Sequence, residues 1–401
     1  VTGRPVVGAE ARRLALEVLA RVEDDGAYAN LALSAALGRS GLSERDRRLV
    51  TDLVYGTLRR RRAVDHLVDR FLTSEPPPAA RRALRLGAYQ LAYRTDLPTY
   101  AVVSATVEAT PRRYRPLVNA VLRRVADAPL AFPDDATRLS YPDWVVDLLV
   151  RDLGPERALA ALEAMDQPAR VTVRDDGYTQ DLASQWVAEL VEPGSTDLVV
   201  DLCAAPGGKA TALARRAGHV VAVDVAEHRA GLIRANAQRL EVESCSVVVG
   251  DARRPPIRGR VADRVLLDAP CSGLGVLRRR PDARWRLDAD APGRLAELQR
   301  MMVDAAVGLL RPGGLLVYSV CTLTAAESLG VDDHVAATHP RLVPLEAPGD
   351  PWEPWGRGAI LLPQAAGTDG MCLFRYRYHP PDVALPGEGP DRLRRGGGRH
   401  P

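Results

Sequence analysis

From residue 198 onward, five short apolar runs close on or beside a polar residue or glycine and are separated by stretches of helical periodicity. They cover residues 198–202, 219–225, 246–250, 264–268 and 315–319. Such alternation confines this part of the chain to βαβ units around a parallel sheet, because parallel neighbours need a crossover between them. Residues 360–363 and 371–378, joined by a Gly/Asp turn, read as closing antiparallel strands. The class is α/β. In open sheets of this kind ligands gather at the carboxyl ends of the strands, so the residues that close each run are where chemistry is expected.

Residues 9 to about 126 follow a different period. Leu16, Val18, Leu19 and Val22 recur at helical spacing, and Ser43 ahead of Glu44 and Asp46 reads as a helix cap. Leu49, Leu53, Val54 and Leu58, then Val64, Leu67, Val68 and Phe71, continue as one long amphipathic helix or two shorter ones, closed by Pro76-Pro-Pro78. Further helices are expected over 79–93, 101–109 and 116–126, which makes this front an all-α bundle. Charge follows the same division. Residues 1–130 hold 22 arginines against 14 acidic residues, while the whole chain carries only +3. A basic front implies an anionic partner, although solvated helix faces give the same count, and Arg59-Arg-Arg-Arg62 reads as such a face. The segments Arg12-Arg-Leu-Ala-Leu-Glu-Val-Leu19, Glu44-Arg-Asp-Arg-Arg-Leu-Val50 with Val54-Tyr-Gly-Thr57, Leu86-Gly-Ala-Tyr-Gln-Leu91 and Val118-Asn-Ala-Val-Leu-Arg123 resemble the NusB-like RNA-binding module. That resemblance implies that the anionic partner is RNA.

Several classes are excluded early. No apolar run approaches the roughly 18 residues of a membrane span, and the first residues lack a charged-then-apolar leader pattern. Five cysteines without a CxxC pair make neither a disulfide framework nor a zinc site. The expectation is a monomer in a reducing cytoplasm, with no membrane and no metal. Of 54 basic residues, 53 are arginine and one, Lys209, is lysine. The bias reads as that of a GC-rich genome, and the surviving lysine points to a position where arginine will not serve.

Cys271 in Asp268-Ala-Pro-Cys-Ser-Gly273 and Cys321 in Tyr318-Ser-Val-Cys-Thr322 both stand where an apolar run breaks into a polar turn. Cys245 and Cys372, flanked by apolar residues, read as core. Asp201-Leu-Cys-Ala-Ala-Pro-Gly-Gly-Lys209 follows the first strand and opens a helix; its small residues let backbone approach a ligand, and a helix start favours negative groups. A Walker A loop would need glycine at Cys203 and a hydroxyl at Ala210, and GxGxxG is absent. What remains is a loop (Cys203, Ala204, Ala205, Pro206, Gly207, Gly208, Lys209) around a compact cofactor. Asp224, ending the second strand, is expected to accept a ribose hydroxyl, and Asp251, ending the third, to reach an adenine edge. That pattern suits S-adenosylmethionine; Arg229, one turn past Asp224, is a further candidate. Enzymes that methylate exocyclic amines carry a second proline and an aromatic residue where this chain has Ala269, Pro270 and Cys271, and a thiol cannot stack on a base. Carbon methylation of a pyrimidine explains the thiols. A thiolate adding to C6 makes C5 of cytosine enamine-like and able to take a methyl group, with Asp268 stabilising charge at the N3 edge. Spacing alone leaves open which thiol attacks.

Residues 180–379 resemble the Sun (RsmB-type) RNA cytosine-5 methyltransferases. The matching motifs are Thr179-Gln-Asp-Leu-Ala-Ser-Gln185, the loop ending at Lys209, Val223-Asp224, Gly250-Asp251, Leu267-Asp-Ala-Pro-Cys-Ser-Gly273, Arg279-Arg-Pro-Asp282 with Trp285, Tyr318-Ser-Val-Cys-Thr322 and Gly367-Thr-Asp-Gly370. The resemblance implies a Rossmann-like SAM-dependent methyltransferase domain, with a mostly parallel sheet and an antiparallel closing strand, behind an all-α NusB-like domain. It implies small-subunit ribosomal RNA as substrate, Cys321 as nucleophile and Cys271 as the thiol that assists release of methylated RNA. The residues from Cys203 to Lys209, with Asp224, Asp251 and Asp268, would form the S-adenosylmethionine site. Expected boundaries are 1–130 for the NusB-like domain, 131–180 for a helical linker with an abridged RNA-binding segment, 181–379 for the methyltransferase domain and 380–401 for a disordered tail. Two departures stand out. Residues 171–178 are nearly all that remains of a longer β-containing RNA-binding segment, and Val320 stands where many relatives have threonine before the cysteine. Arg278-Arg-Arg280, Arg284 and Arg286, interleaved with Trp285, are expected to contact phosphate and stack on a base. A transfer-RNA substrate and a non-catalytic RNA-binding or assembly factor are the alternatives; the intact Cys321, Asp268 and glycine loop speak against the second.

Overall fold

The apolar residues that recur every three to four positions in the front of the chain converge on one interior. The computed structural model describes residues 8–380, in two units: the stretch up to Leu148 with Leu277–Leu287, and Leu149–Val276 with the stretch from Asp288. Helices of the first unit run Ala9–Asp24, Ala29–Arg39, Glu44–Arg59, Arg61–Asp69, Pro78–Tyr93, Thr99–Ala109 and Arg115–Asp127. Leu19, Leu53, Leu67, Leu84 and Leu122 are fully buried among them. Ser43 caps its helix by accepting from the Asp46 amide at 3.2 Å. The long amphipathic stretch is two helices, parted where the Arg60 backbone turns to φ −98°, ψ 15°.

Several arginines of this front are paired with acids of the same unit. Arg82 pairs with Asp24 at 2.8 Å, Arg85 with Asp65 at 2.7 Å and Glu23 at 2.9 Å, and Arg94 with Asp52 and Asp96. Arg81 meets Asp69 and Glu75. Nor is the run at 59–62 a solvated face. Arg59 is buried and donates to the Arg278 carbonyl, Arg61 lies over the Trp285 ring, and Arg62 donates to the Tyr141 carbonyl and to Asp143. Arg112, Arg113, Arg123 and Arg124 stay exposed.

The segment expected as a helical linker over 131–180 contains two helices, Asp143–Leu153 and Pro155–Met165. They are parted at Gly154, whose φ of +83° only glycine adopts readily, and Pro155 opens the second.

In the second unit the strands are β1 (Leu198–Asp201), β2 (His219–Asp224), β3 (Cys245–Val249), β4 (Ala262–Asp268), β5 (Leu310–Val320), β6 (Leu342–Pro344), β7 (Glu353–Trp355), β8 (Gly358–Leu361) and β9 (Met371–Tyr378). Sheet order is β3-β2-β1-β4-β5-β9-β8-β7, with β6 also on β9. The first five are parallel and the additions on β5 are antiparallel, so four strands rather than two close the sheet. A short helix, Pro363–Ala366, and Gly367 in the left-handed region join β8 to β9. Helices Ala291–Leu309 and Leu329–Thr338 are latched by His334 and His339, whose Nε2 atoms both hydrogen-bond Asp304 Oδ1. Strand order reverses between β1 and β4, and the loops that follow these two strands therefore meet at the switch point. Beyond Pro380, the tail expected to be disordered lies outside the described residues. Among the described residues, no helix is long and apolar enough to cross a membrane.

Candidate active site

Parallel register sets the first contacts. Asp268 closes β4 and faces Ser319 of β5, whose hydroxyl donates to Asp268 Oδ1 at 2.8 Å. The other oxygen, Oδ2, accepts from Lys209 Nζ at 2.6 Å, and that ammonium also donates to Ser184 Oγ at 3.2 Å. The only lysine of the chain therefore ends as a point charge on a strand-end carboxylate, a contact one Nζ can make where a five-donor guanidinium would leave donors without acceptors. Burial alone would depress the Lys209 ammonium. The Asp268 charge and hydrogen bond outweigh it and raise the pKa, with Cys321 and Asp201 adding to the pull.

The two thiols are brought together. Cys271 Sγ and Cys321 Sγ lie 3.2 Å apart, both half-buried. The Cys271 pKa is pushed well up, first by its hydrogen bond to Cys321, then by burial and by the charges of Cys321 and Glu327.

Behind Cys271 stands a buried polar network that sequence reading missed. Glu327 Oε1 accepts from the Ser272 amide at 2.8 Å and from Gln299 Nε2 at 3.1 Å; Oε2 takes the Ser272 hydroxyl at 2.5 Å and the Thr324 hydroxyl at 2.9 Å. Gln299 Nε2 also donates to the Pro270 carbonyl at 2.9 Å, and Tyr318 OH donates to Gln299 Oε1 at 3.0 Å. No motif signals Glu327. Its distance of six residues from Cys321 is the one hint the sequence offers.

The loop after β1 is shaped for a ligand. Ala204 N–H donates to the Val223 carbonyl at 2.9 Å and Ala205 N–H to Asp224 Oδ2 at 3.3 Å, which ties the loop to β2. Pro206 follows a cis bond, and Gly207 has φ +105°; a Cβ there would lie 3.2 Å from Ile233 Cα. At Gly208 a Cβ would come within 2.9 Å of the Tyr178 ring. Arg174 donates to the Gly208 carbonyl and its guanidinium lies 4.8 Å over the Tyr178 ring, so the abridged segment 171–178 braces this loop. Burial and the neighbouring Asp201 push the Cys203 thiol up.

Asp201, at the end of β1, was read only as the head of its motif. It is 1% exposed, and neither carboxylate oxygen has a donor in hydrogen-bonding geometry. Burial raises its pKa to about 7, the Asp268 charge adds to this, and the Lys209 ammonium and Cys203 amide oppose it. An acid without donors, beside a loop of alanines and glycines, suits a ligand that brings its own donors and positive charge. Asp224 is buried and takes the Ala205 and Ala226 amides and Arg229 at 3.3 Å. Asp251 is bound by Arg253 at 2.6 Å. Val225, just past Asp224, is 65% exposed and offers an apolar face at the same edge.

Most of the arginine and tryptophan run after Cys271 is turned inward, although Arg280 is exposed. Arg284 is fully buried, donates to the carbonyls of Arg59, Leu139 and Ser140 and lies 3.8 Å over the Tyr141 ring. Trp285 Nε1 donates to the Leu58 carbonyl, Arg286 to that of Gly26, and Arg278 is buried. The C-terminal turn of helix Glu44–Arg59 leaves carbonyls without helical partners, and this run supplies donors to them.

The family described as 16S rRNA methyltransferase RsmB/F matches residues 188–376, and the NusB family matches residues 9–127. The chain is 37% identical to ribosomal RNA small subunit methyltransferase B of Thermus thermophilus, over 91% of this chain and 97% of that protein. It is 30% identical to a probable enzyme of the same description in Bacillus subtilis, over 91% and 98%, and 33% identical to a putative methyltransferase of Mycobacterium tuberculosis, over 92% and 96%. The solved structure of PH0851 shares the fold with a TM-score of 0.75 at 21% identity, covering 92% of this chain and 98% of that one.

Proposed function

Because this chain belongs to the RsmB/F family of 16S rRNA methyltransferases, behind a NusB-like helical front, we propose that it methylates C5 of a cytosine in small-subunit ribosomal RNA. Its activity is methyl transfer to RNA and its cofactor is S-adenosylmethionine. The observation that carries the finer reading is the 3.2 Å contact between two thiols beside the Lys209–Asp268 pair.

Cytosine C5 is a poor nucleophile until C6 is attacked. Cys321 is the attacking group and Cys271 the assisting thiol, with the Lys209 ammonium, whose pKa Cys321 helps to raise, as the neighbouring cation. A Cys321 thiolate forms the S–C6 bond, and the C5=C6 electron pair moves onto C5 and toward N3. The Lys209–Asp268 pair supplies the proton that neutralises N3 and takes it back when the ring is restored. Bound S-adenosylmethionine supplies an electrophilic methyl carbon. Its site is the loop from Cys203 to Lys209 with Asp201, Asp224, Asp251 and Asp268. Release then breaks the C5–H and S–C6 bonds. The C5–H pair rebuilds C5=C6, the Cys271 proton goes to the departing Cys321 sulfur, and the C5 proton goes to Cys271. One proton passes to solvent before Cys321 is again a thiolate. A reducing cytoplasm would keep both thiols in this state.

Cys321→Ala should abolish methyl transfer, and Cys271→Ala should leave RNA joined to protein as a slow band on a denaturing gel. Activity surviving the first change, or no band from the second under conditions where the unaltered enzyme turns over, would sink the assignment. Bisulfite sequencing of RNA from a strain lacking the gene would name the cytosine.

A further inference from the structure

Glu327 is a charged side chain with 0% exposure and, among the described residues, no cationic partner. A buried carboxylate is unfavourable unless donors surround it. Here the donors are the Ser272 amide, the Ser272 and Thr324 hydroxyls and the Gln299 amide. What these contacts share is their place in the chain. Ser272 follows Cys271 directly. Gln299, which donates to Glu327, also donates to the carbonyl of Pro270, directly before Cys271. The backbone is therefore held on both sides of one thiol, by one carboxylate and the amide bonded to it. Cys321 has other anchors, since its carbonyl accepts from the Gly275 amide and its strand is paired on both edges; the Glu327 network reaches its side through the Ser272 hydroxyl, 2.9 Å from that of Thr322.

We propose that Glu327 is a positioning residue for Cys271: it fixes that thiol against the Cys321 sulfur, and the step depending on it is release of the methylated base rather than attack. This rests on the covalent reading given above. Glu327 touches no reacting atom. It acts through the Ser272 peptide, and a glutamine in its place keeps an acceptor toward the Ser272 and Gln299 amides only by turning its N–H₂ toward the Ser272 and Thr324 hydroxyls, which now donate to the carboxylate and would have to accept instead.

The test compares Glu327→Gln, Thr324→Val and Cys271→Ala in the full chain, with a small-subunit ribosomal RNA transcript and S-adenosylmethionine. Readouts are single-turnover methyl transfer, multiple turnover and RNA-linked protein on a denaturing gel. Glu327→Gln is expected to keep its single-turnover rate, lose about tenfold in multiple turnover and accumulate the linked band as Cys271→Ala does. Thr324→Val, which removes one donor and leaves the carboxylate in place, should accumulate less of the same band; it keeps the test open if Glu327→Gln fails to fold. A purely structural role would lower single and multiple turnover together with no band, and that result overturns the proposal. A band from Cys271→Ala with none from Glu327→Gln or Thr324→Val overturns it alone. No band from Cys271→Ala overturns the covalent release reading and this inference with it.

Discussion

The Asp201 carboxyl is pushed up to about 7 chiefly because burial has removed water from it, with the Asp268 charge adding to this. Its folded pKa, about 7, lies above the ordinary 3.8. The folded state therefore binds the proton more tightly than the unfolded chain does. The stability this contributes is complete below the ordinary carboxylate pKa and is lost as pH rises through about 7. Without cofactor, the unfolding midpoint should fall between about pH 4 and about pH 7, and Asp201→Asn should flatten that fall by a few kcal/mol at most. Parallel pH profiles for the two proteins in thermal unfolding would count against it. At this scale the sequence was unevenly legible. Lys209 stood out because it is the only lysine, and Asp268, Cys271 and Cys321 stood out at strand ends. Glu327 and Ser184 did not, because their work is done by hydrogen bonds across more than twenty residues of chain. Arg278 and Arg284 were misread for a related reason: a guanidinium on a carbonyl and one on a phosphate look alike in a sequence.

Elements reach the site through loops with almost no spare room. Gly275 donates to the Cys321 carbonyl at 3.0 Å and accepts from the Gly370 amide at 2.8 Å. A Cβ on Gly275 would sit 2.2 Å from the Gly370 oxygen and 3.0 Å from that of Cys321. Both obstacles are backbone, so Gly275→Ala must part the turn after β5 from the turn before β9. The expected result is about 1–3 kcal/mol of lost stability together with a drop in methyl transfer; an unchanged unfolding midpoint and rate would show that the loops give way freely. The strands that build this arrangement were visible as apolar runs, and their observed bounds differ by a few residues. Harder to see were β6 and β7, three residues each, too short for any period to register. The break at Arg60 was also ambiguous, since the apolar stripe passes through it and only the backbone angles change.

Across the whole molecule, a count of basic residues overstates what a nucleic acid can meet. Arg82, Arg85 and Arg94 are paired with acids of their own unit, whereas Arg112, Arg113, Arg123 and Arg124 are exposed. Affinity for RNA should fall with salt, and replacing Arg112 and Arg113 with alanine should reduce the logarithmic slope by about one to two. Arg82→Ala should lower stability and leave the slope alone; equal slopes for all three proteins would remove the exposed arginines from the interface. The path of the chain has a consequence of another kind. Leu277–Leu287 is encoded inside the stretch that builds the sheet, yet its arginines and tryptophan close carbonyls of the helical bundle. A gene that exchanged its front half at a single crossover would bring these side chains to a bundle with different ends. The two halves are therefore inherited as a matched set, and a hybrid would need three joints to preserve what one domain boundary suggests is separable.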